Sequence, residues 1–234
     1  MGSNIVHIVS SSIKDCIEWY KFFVEKGGVK LNVKREDGRT ELLHYMHNYP
    51  KNDNLEVFNY LINNNCDINA TDKKDNTPIF YTCDSTNTHY MDRLLSLGCN
   101  LDILNKDGAS PLIKIVKSRN LLLVQKLIEN KANINFLDVK KRNALHWAVN
   151  NATKGSDASN ELENYILSHG CDPLALDINN RTPLHYAFVK IGSPFINTSI
   201  DPIETVSNIL AREKALQSIN VRDNWGNTPL HYAS

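Results

Sequence analysis

The chain has 234 residues, 41% of them apolar and 8% aromatic, enough for one elongated domain or two compact ones. Its 26 basic and 26 acidic side chains cancel, which argues against a general nucleic-acid binder, because such a protein needs a net basic surface to displace counterions. The longest purely aliphatic run, Leu121 to Val124, is far too short to cross a bilayer.

At the N-terminus, Met1-Gly2-Ser3 is expected to be a tag remnant, with the natural sequence resuming near Asn4. The basic region, apolar segment and small-residue cleavage site of a signal peptide are not found there, so a cytoplasmic or nuclear location is expected. Trp19, Tyr20 and Phe23 then fall on an amphipathic helix and are expected to be core.

Further along, one phrase recurs. It reads "KRNALHWAVN" at Lys141 to Asn150, "NNRTPLHYAF" at Asn179 to Phe188, and "NWGNTPLHYAS" up to Ser234. Thr40, Thr77, Ser110, Asn143, Thr182 and Thr228 share its cap column, at spacings of 37, 33, 33, 39 and 46 residues. A second column runs in phase with the first: "GVKLN" at Gly28, "NCDIN" at Asn65, "GCNLD" at Gly98, "KANIN" at Lys131 and "GCDPL" at Gly170.

The residues explain the recurrence. A Thr hydroxyl caps a helix start, and Pro78, Pro183 and Pro229 suit the first turn, where no backbone donor is needed. Leu184 and Leu230 open an apolar face, and Ala148 and Ala187 keep it thin. Val57 to Asn65, Met91 to Gly98 and Leu123 to Lys131 carry the apolar spacing of second helices. Gly98 and Gly170 suit left-handed helix ends. Short polar segments such as "TDKKDN" and "LDVKKRN" then make projecting turns.

A period near 33 residues with "TPLH" resembles the ankyrin-repeat family over essentially the whole chain. The resemblance implies an all-α ankyrin-repeat solenoid of stacked antiparallel helix pairs with β-hairpin fingers. We expect one domain over residues 4–234, with repeats near 4–36, 37–71, 72–104, 105–137, 138–176 and 177–222 and a partial one at 223–234. The first is degenerate and acts as a cap, and the last stops inside its first helix, so a longer parent protein is expected.

Three repeats exceed the period by 4, 6 and 13 residues. The extra material is placed near Tyr49, Ala152 and Ile191, between first and second helices. Asp201 to Glu204 reads as a capping box reopening a second helix, which could extend toward Gln217.

Candidate chemistry is sparse. His146, His185 and His231 recur along the stack and cannot converge on one ion, and the resemblance implies that each braces its turn through the backbone. Cys66, Cys99 and Cys171 occupy a small-residue position after the helix end, and no zinc spacing or disulfide framework is seen. No phosphate loop or catalytic motif stands out, so no cofactor, metal or catalysis is expected of this segment. Asp72, Asp107, Asp138, Asp177 and Asp223 are read as finger-tip residues that favour turns.

The resemblance also implies that finger tips and the solvent side of the first helices bind partners. Lys73, Lys74, Lys106, Lys140, Arg142, Asn150, Arg181 and Trp225 are the candidate partner-binding residues, with Lys117 on a helix position nearby. A solvated, energetically silent row of lysines is the plainer alternative. Trp225 either offers an interface anchor or packs on the neighbouring finger, and Trp147 is expected to pack between helices.

A non-catalytic protein-interaction module, monomeric and docking an acidic or extended segment, is therefore expected. Residues 184–234 also faintly resemble ankyrin segments preceding catalytic domains in some poly(ADP-ribose) polymerases, which implies a targeting or regulatory arm of a larger enzyme. Nucleic-acid binding is the least favoured reading.

Overall fold

The computed structural model describes residues 17–48, 55–84, 88–151, 160–191 and 202–233. The insertions placed near Tyr49, Ala152 and Ile191, the capping residue Asp201 and the start of the first repeat lie outside these residues. The chain falls into two compact units, Met1–Lys106 and Asp107–Ser234.

The first unit holds α1 (Ile17–Lys21, continued by a π-helical turn at Phe22–Lys26), α2 (Glu41–Asn48), α3 (Glu56–Asn63), α4 (Pro78–Thr82) and α5 (His89–Ser96). Helix α2 packs on α3 and α4, α4 on α5, and α1 on α3. Phe58, Tyr45 and Tyr90 fill the centre, with the two tyrosine hydroxyls 3.2 Å apart. Tyr20 is buried and donates to Glu41 at 3.1 Å. Trp19, expected in the core, is 42% exposed and stacks on Phe23 instead, because the buried stripe of α1 passes through Tyr20.

The second unit holds α6 (Pro111–Ser118), α7 (Leu121–Glu129), α8 (Ala144–Asn150), α9 (Glu161–Ser168), α10 (Pro183–Ile191) and α11 (Pro202–Leu210), then 3₁₀ turns at Glu213–Asn220 and Pro229–Tyr232. First helices α6, α8, α10 and the Pro229–Tyr232 turn pack in a row, and α9 and α11 pack beside them. Helix α11 does not extend to Gln217. Arg212 is extended, and the chain resumes as a 3₁₀ turn that buries Ala215 and Ser218, three residues apart.

Apolar burial dominates the energetics. Leu112, Ile113, Ile115 and Val116 of α6, Ala144, Leu145, Ala148 and Val149 of α8, and Leu184 of α10 are at most 1% exposed. A large aliphatic side chain buried this fully contributes roughly 1.5–3 kcal/mol. A single hydrogen bond contributes a net ~1 kcal/mol, so polar contacts set register while packing supplies stability. One buried ion pair goes with them: Arg119 meets Glu163 at 2.6 and 3.2 Å and donates to the Ala148 carbonyl at 3.0 Å. It ties the ends of α6 and α8 to α9.

Both sequence columns acquire a physical meaning. In the second column, a closing asparagine bridges to the next repeat. Asn32 donates to the Asn65 carbonyl at 2.8 Å and accepts from the Asp67 N–H at 2.9 Å. Asn135 likewise donates to the Gly170 carbonyl at 3.0 Å and accepts from the Asp172 N–H at 2.8 Å. Gly98 and Gly170 are left-handed, as the sequence suggests, and Asn65 and Lys131 take the same conformation without being glycine.

The fingers are tight turns, and no strand occurs among the described residues. They are nonetheless linked tip to tip: Lys106 N–H to the Lys74 carbonyl at 2.9 Å in the first unit, Ile178 N–H to Lys140 at 3.0 Å in the second. Gly108 must be glycine, since its φ is +66° and a Cβ there would come within 2.2 Å of Val139 Cγ1.

The cap column works differently from a simple hydroxyl cap. His146 Nδ1 accepts from the Asn143 N–H at 3.2 Å, and Nε2 donates to the Arg181 carbonyl of the following finger at 3.0 Å. His185 repeats this with the Thr182 N–H at 3.0 Å, the Thr182 hydroxyl at 2.9 Å and the Asn227 carbonyl at 3.3 Å. Thus the threonine hydroxyl is satisfied by the ring. Where Leu43 and Phe80 replace the histidine, the buried hydroxyls of Thr40 and Thr77 have no hydrogen-bond partner. In the Ser110 repeat the serine caps the Ile113 N–H itself at 3.2 Å.

An orphaned buried hydroxyl costs roughly 1–3 kcal/mol, part of which its removal returns. Thr77→Val should therefore raise unfolding free energy by about 1 kcal/mol, and Thr182→Val should lower it by a similar amount. Urea denaturation of both variants checks this. Equal destabilisation by the two would contradict the role given to the histidine ring.

Candidate functional site

Four of the fingers are built on an aspartate at the base. Asp72, Asp138, Asp177 and Asp223 are 3–7% exposed, not at the tips where the sequence reading put them. Every one accepts two backbone N–H groups from its own turn, as Asp138 does from Lys140 at 2.8 Å and Arg142 at 2.9 Å. Asp107 does not belong to this column. Asn105 holds its place, and Asp107 is exposed two residues further on.

The other carboxylate oxygen takes an aromatic donor nine residues later. Tyr81 donates to Asp72 at 2.6 Å, Trp147 Nε1 to Asp138 at 3.0 Å, Tyr186 to Asp177 at 2.8 Å and Tyr232 to Asp223 at 2.5 Å. The sequence reading missed this nine-residue spacing, although it is legible once the columns are aligned. It also corrects the expectation for Trp147, which lies half-buried against its own finger base, because this helix position points toward the turn.

Electrostatics follow the same arrangement. Burial works to raise the Asp138 carboxyl, but hydrogen bonds from Arg142 and Trp147 and the Arg142 charge override it and hold the group below its usual value. Asp72 and Asp223 are lowered in the same way, against burial, by Tyr81 and Tyr232 and by backbone N–H groups. Tyr81 and Tyr186 are pushed up to about 12 by burial and by the carboxylates they face.

Arginines decorate this frame. Arg142 pairs with Asp138 at 2.7 Å, and its guanidinium carbon lies 3.9 Å from the Trp147 ring centroid. Lys117 Nζ is also 3.9 Å from that centroid. Arg181 reaches the next finger: 3.5 Å from Asp223, 2.9 Å from the Tyr232 hydroxyl, and 4.8 Å from the Trp225 ring centroid. Trp225 is 62% exposed all the same.

The candidate binding residues therefore separate. Lys73, Lys74 and Lys106 are exposed on fingers of the first unit, and Lys140 and Trp225 on fingers of the second. Arg142 and Arg181 are half-buried and tied to aspartates, and Asn150 is half-buried at the end of α8. The second unit thus sets Lys117 and Arg142 against the Trp147 ring, and Arg181 over the rings of both Trp225 and Tyr232.

Two of the recurring histidines, His146 and His185, are fully buried. Burial presses His146 down to about 4, only partly offset by the Arg181 carbonyl, and His185 is lowered for the same reason. Cys66, Cys99 and Cys171 are buried thiols raised by burial to about 12, 11 and 12. Among the described residues no group of three or more His, Cys, Asp or Glu side chains could hold a metal ion, and no helix is long and apolar enough to cross a membrane.

Such stacked helix pairs with hydrogen-bonded fingers define a repeat protein whose side chains are arranged for contact. The family model described as ankyrin repeats (3 copies) matches residues 43–138, 80–174 and 115–198, and the chain belongs to the ankyrin-repeat family. Ankyrin repeats are in general protein-interaction modules. A putative ankyrin repeat protein of fowlpox virus (strain NVSL) is 29% identical over 137 residues, covering 58% of this chain and 19% of the viral protein. The transient receptor potential channel pyrexia of Drosophila melanogaster is 28% identical over 124 residues, covering 53% of this chain and 12% of the channel. The chain thus spans less than a fifth of the length of these relatives. The crystal structure of the ankyrin repeat domain of Bcl-3 superposes with a TM-score of 0.71 at 20% identity, covering 100% of this chain and 95% of that one. That likeness shows the fold.

The lowered His146 makes stability depend on acid. Above pH 6.5 the imidazole is neutral in both states. Between 6.5 and about 4 the unfolded chain takes up a proton that the folded chain refuses, and below that both are charged. Stability should fall across this window, by up to about 3 kcal/mol from this group. Unfolding curves for wild type and His146→Gln from pH 7 to 4 test this. The variant should lose less by that margin, and parallel profiles would contradict it.

Proposed function

We propose that this chain is a non-catalytic docking module that engages a partner protein through its fingers and the adjoining side of its first helices. The observation that carries the reading is Trp225, kept 62% exposed on a finger with Arg181 beside it. Exposing an indole is unfavourable unless something else covers it, and Trp and Arg dominate interface hot spots. The exposed Lys140, two fingers away on the same unit, adds positive charge. A partner offering an acidic, partly extended segment suits this surface. Turns fixed by a buried aspartate, at Asp72, Asp138, Asp177 and Asp223, limit the ordering cost of association.

Arg142 is a poor probe of this surface, because removing it also strips Asp138 of its charge partner. Trp225 and Lys140 make cleaner ones. A second reading, an ankyrin segment that targets or regulates a larger multidomain protein, is favoured by the much greater length of the relatives, of which the chain covers 19% and 12%. A poly(ADP-ribose) polymerase is one enzyme of that kind, suggested only by the sequence resemblance.

With a partner isolated by crosslinking from the source cells, Trp225→Ala should weaken its binding roughly thirty-fold or more, the effect of losing a hot spot of about 2 kcal/mol. The thermal midpoint should not change. Undiminished binding by Trp225→Ala/Lys140→Ala would place the interface elsewhere.

A further inference from the structure

The pair of cations on Trp147 has no counterpart elsewhere among the described residues. Lys117 leaves the last turn of α6 half-buried, with its Nζ 3.9 Å from the indole centroid, and Arg142 contacts the same ring at 3.9 Å. The ring face offsets part of the desolvation of an ammonium. It does not offset the repulsion between the two cations. Burial and the Arg142 charge both press Lys117 below its usual value, while Asp138 and Asp107 act the other way.

Neither aspartate supplies Lys117 with a partner. Asp138 accepts from the Lys140 and Arg142 backbone N–H groups at 2.8 and 2.9 Å, from Arg142 Nε at 2.9 Å and Nη2 at 2.7 Å, and from Trp147 Nε1 at 3.0 Å. A carboxylate offers about four lone-pair sites, so Asp138 is saturated. Asp107 is exposed, and Lys117 makes no ion pair with it. Lys117 therefore keeps its three N–H donors and its charge for something that arrives from outside.

We propose that Lys117, seated on the Trp147 indole, forms with that ring a notch that takes the carboxylate side chain of an acidic segment in a partner protein. The proposal rests on the reading of the fingers as a docking surface and names the chemistry recognised at one point on it. A single carboxylate suits the site better than a polyanion. The whole chain is neutral, with 26 acidic side chains against 26 basic ones, and Asp107 and Asp138 beside the notch would repel a run of phosphates. Partial burial makes a charge-assisted contact here stronger than one to an exposed lysine such as Lys140.

The probes are a fluorescein-labelled peptide of glutamates in a glycine–serine background and its glutamine counterpart, followed by fluorescence anisotropy with the whole chain. The glutamate peptide should bind roughly ten-fold tighter than the glutamine one. Lys117→Ala and Lys117→Gln should both remove that preference, with thermal midpoints unchanged, and Lys131→Ala should keep it. Equal binding of the two peptides, or a preference that survives in both Lys117 variants, would overturn the proposal. A single-stranded oligonucleotide that displaces the glutamate peptide from wild type but not from Lys117→Ala would overturn the assignment to a protein partner. If the Lys117 variants behave as wild type while Trp225→Ala still weakens capture of the isolated partner, the notch fails and the docking surface stands.

Discussion

One hydrogen-bonded arrangement sets the register of the second unit: a histidine ring that accepts from the cap of its own helix and donates to a carbonyl at the base of the next finger. His146 does this between Asn143 and Arg181, and His185 between Thr182 and Asn227. Apolar faces alone would let helix pairs slide, since hydrophobic contact is not directional. A neutral imidazole with one donor and one acceptor fixes both the cap and the distance to the neighbour. Where the ring is replaced, at Leu43 and Phe80, the price is visible in the orphaned hydroxyls of Thr40 and Thr77.

The same logic produces the surface. Once the turn is fixed, a buried aspartate in four of the fingers accepts from its backbone and from an aromatic side chain nine residues on, so those fingers are held before any partner arrives. Arginines that looked like free binding groups are partly consumed in this frame. Arg142 neutralises Asp138, and Arg181 spans to Asp223 and Tyr232. What is left over is small and specific: exposed lysines at the tips, Lys117 against an indole, and Trp225 in the open. Stability and recognition thus draw on neighbouring residues of one repeated phrase, with different members assigned to each.

Much of this was legible in the sequence. The "TPLH" column and the left-handed glycines at Gly98 and Gly170 identified the repeat, because capping and helix termination are local requirements. The Asn32 and Asn135 bridges were present in the second column but unread, since a bridging asparagine looks like any turn residue until its partner is known. Trp147 was misplaced for a related reason: an aromatic side chain on a helix suggests core, and only the Asp138 carboxylate shows which way it points. Pairs far apart in sequence, such as Arg119 with Glu163, carry no local signal at all. Trp19 reads as core from its place on a helix beside Tyr20 and Phe23, and the stripe through Tyr20 decides otherwise.

Native-state hydrogen exchange on His146→Leu tests the central claim most directly. If the ring couples one repeat to the next, amides of the following finger, Asn179 to Arg181, should lose protection together with those of α8, although the substitution lies in the preceding repeat. Loss confined to α8, with the Asp177 finger exchanging as in wild type, would contradict the account.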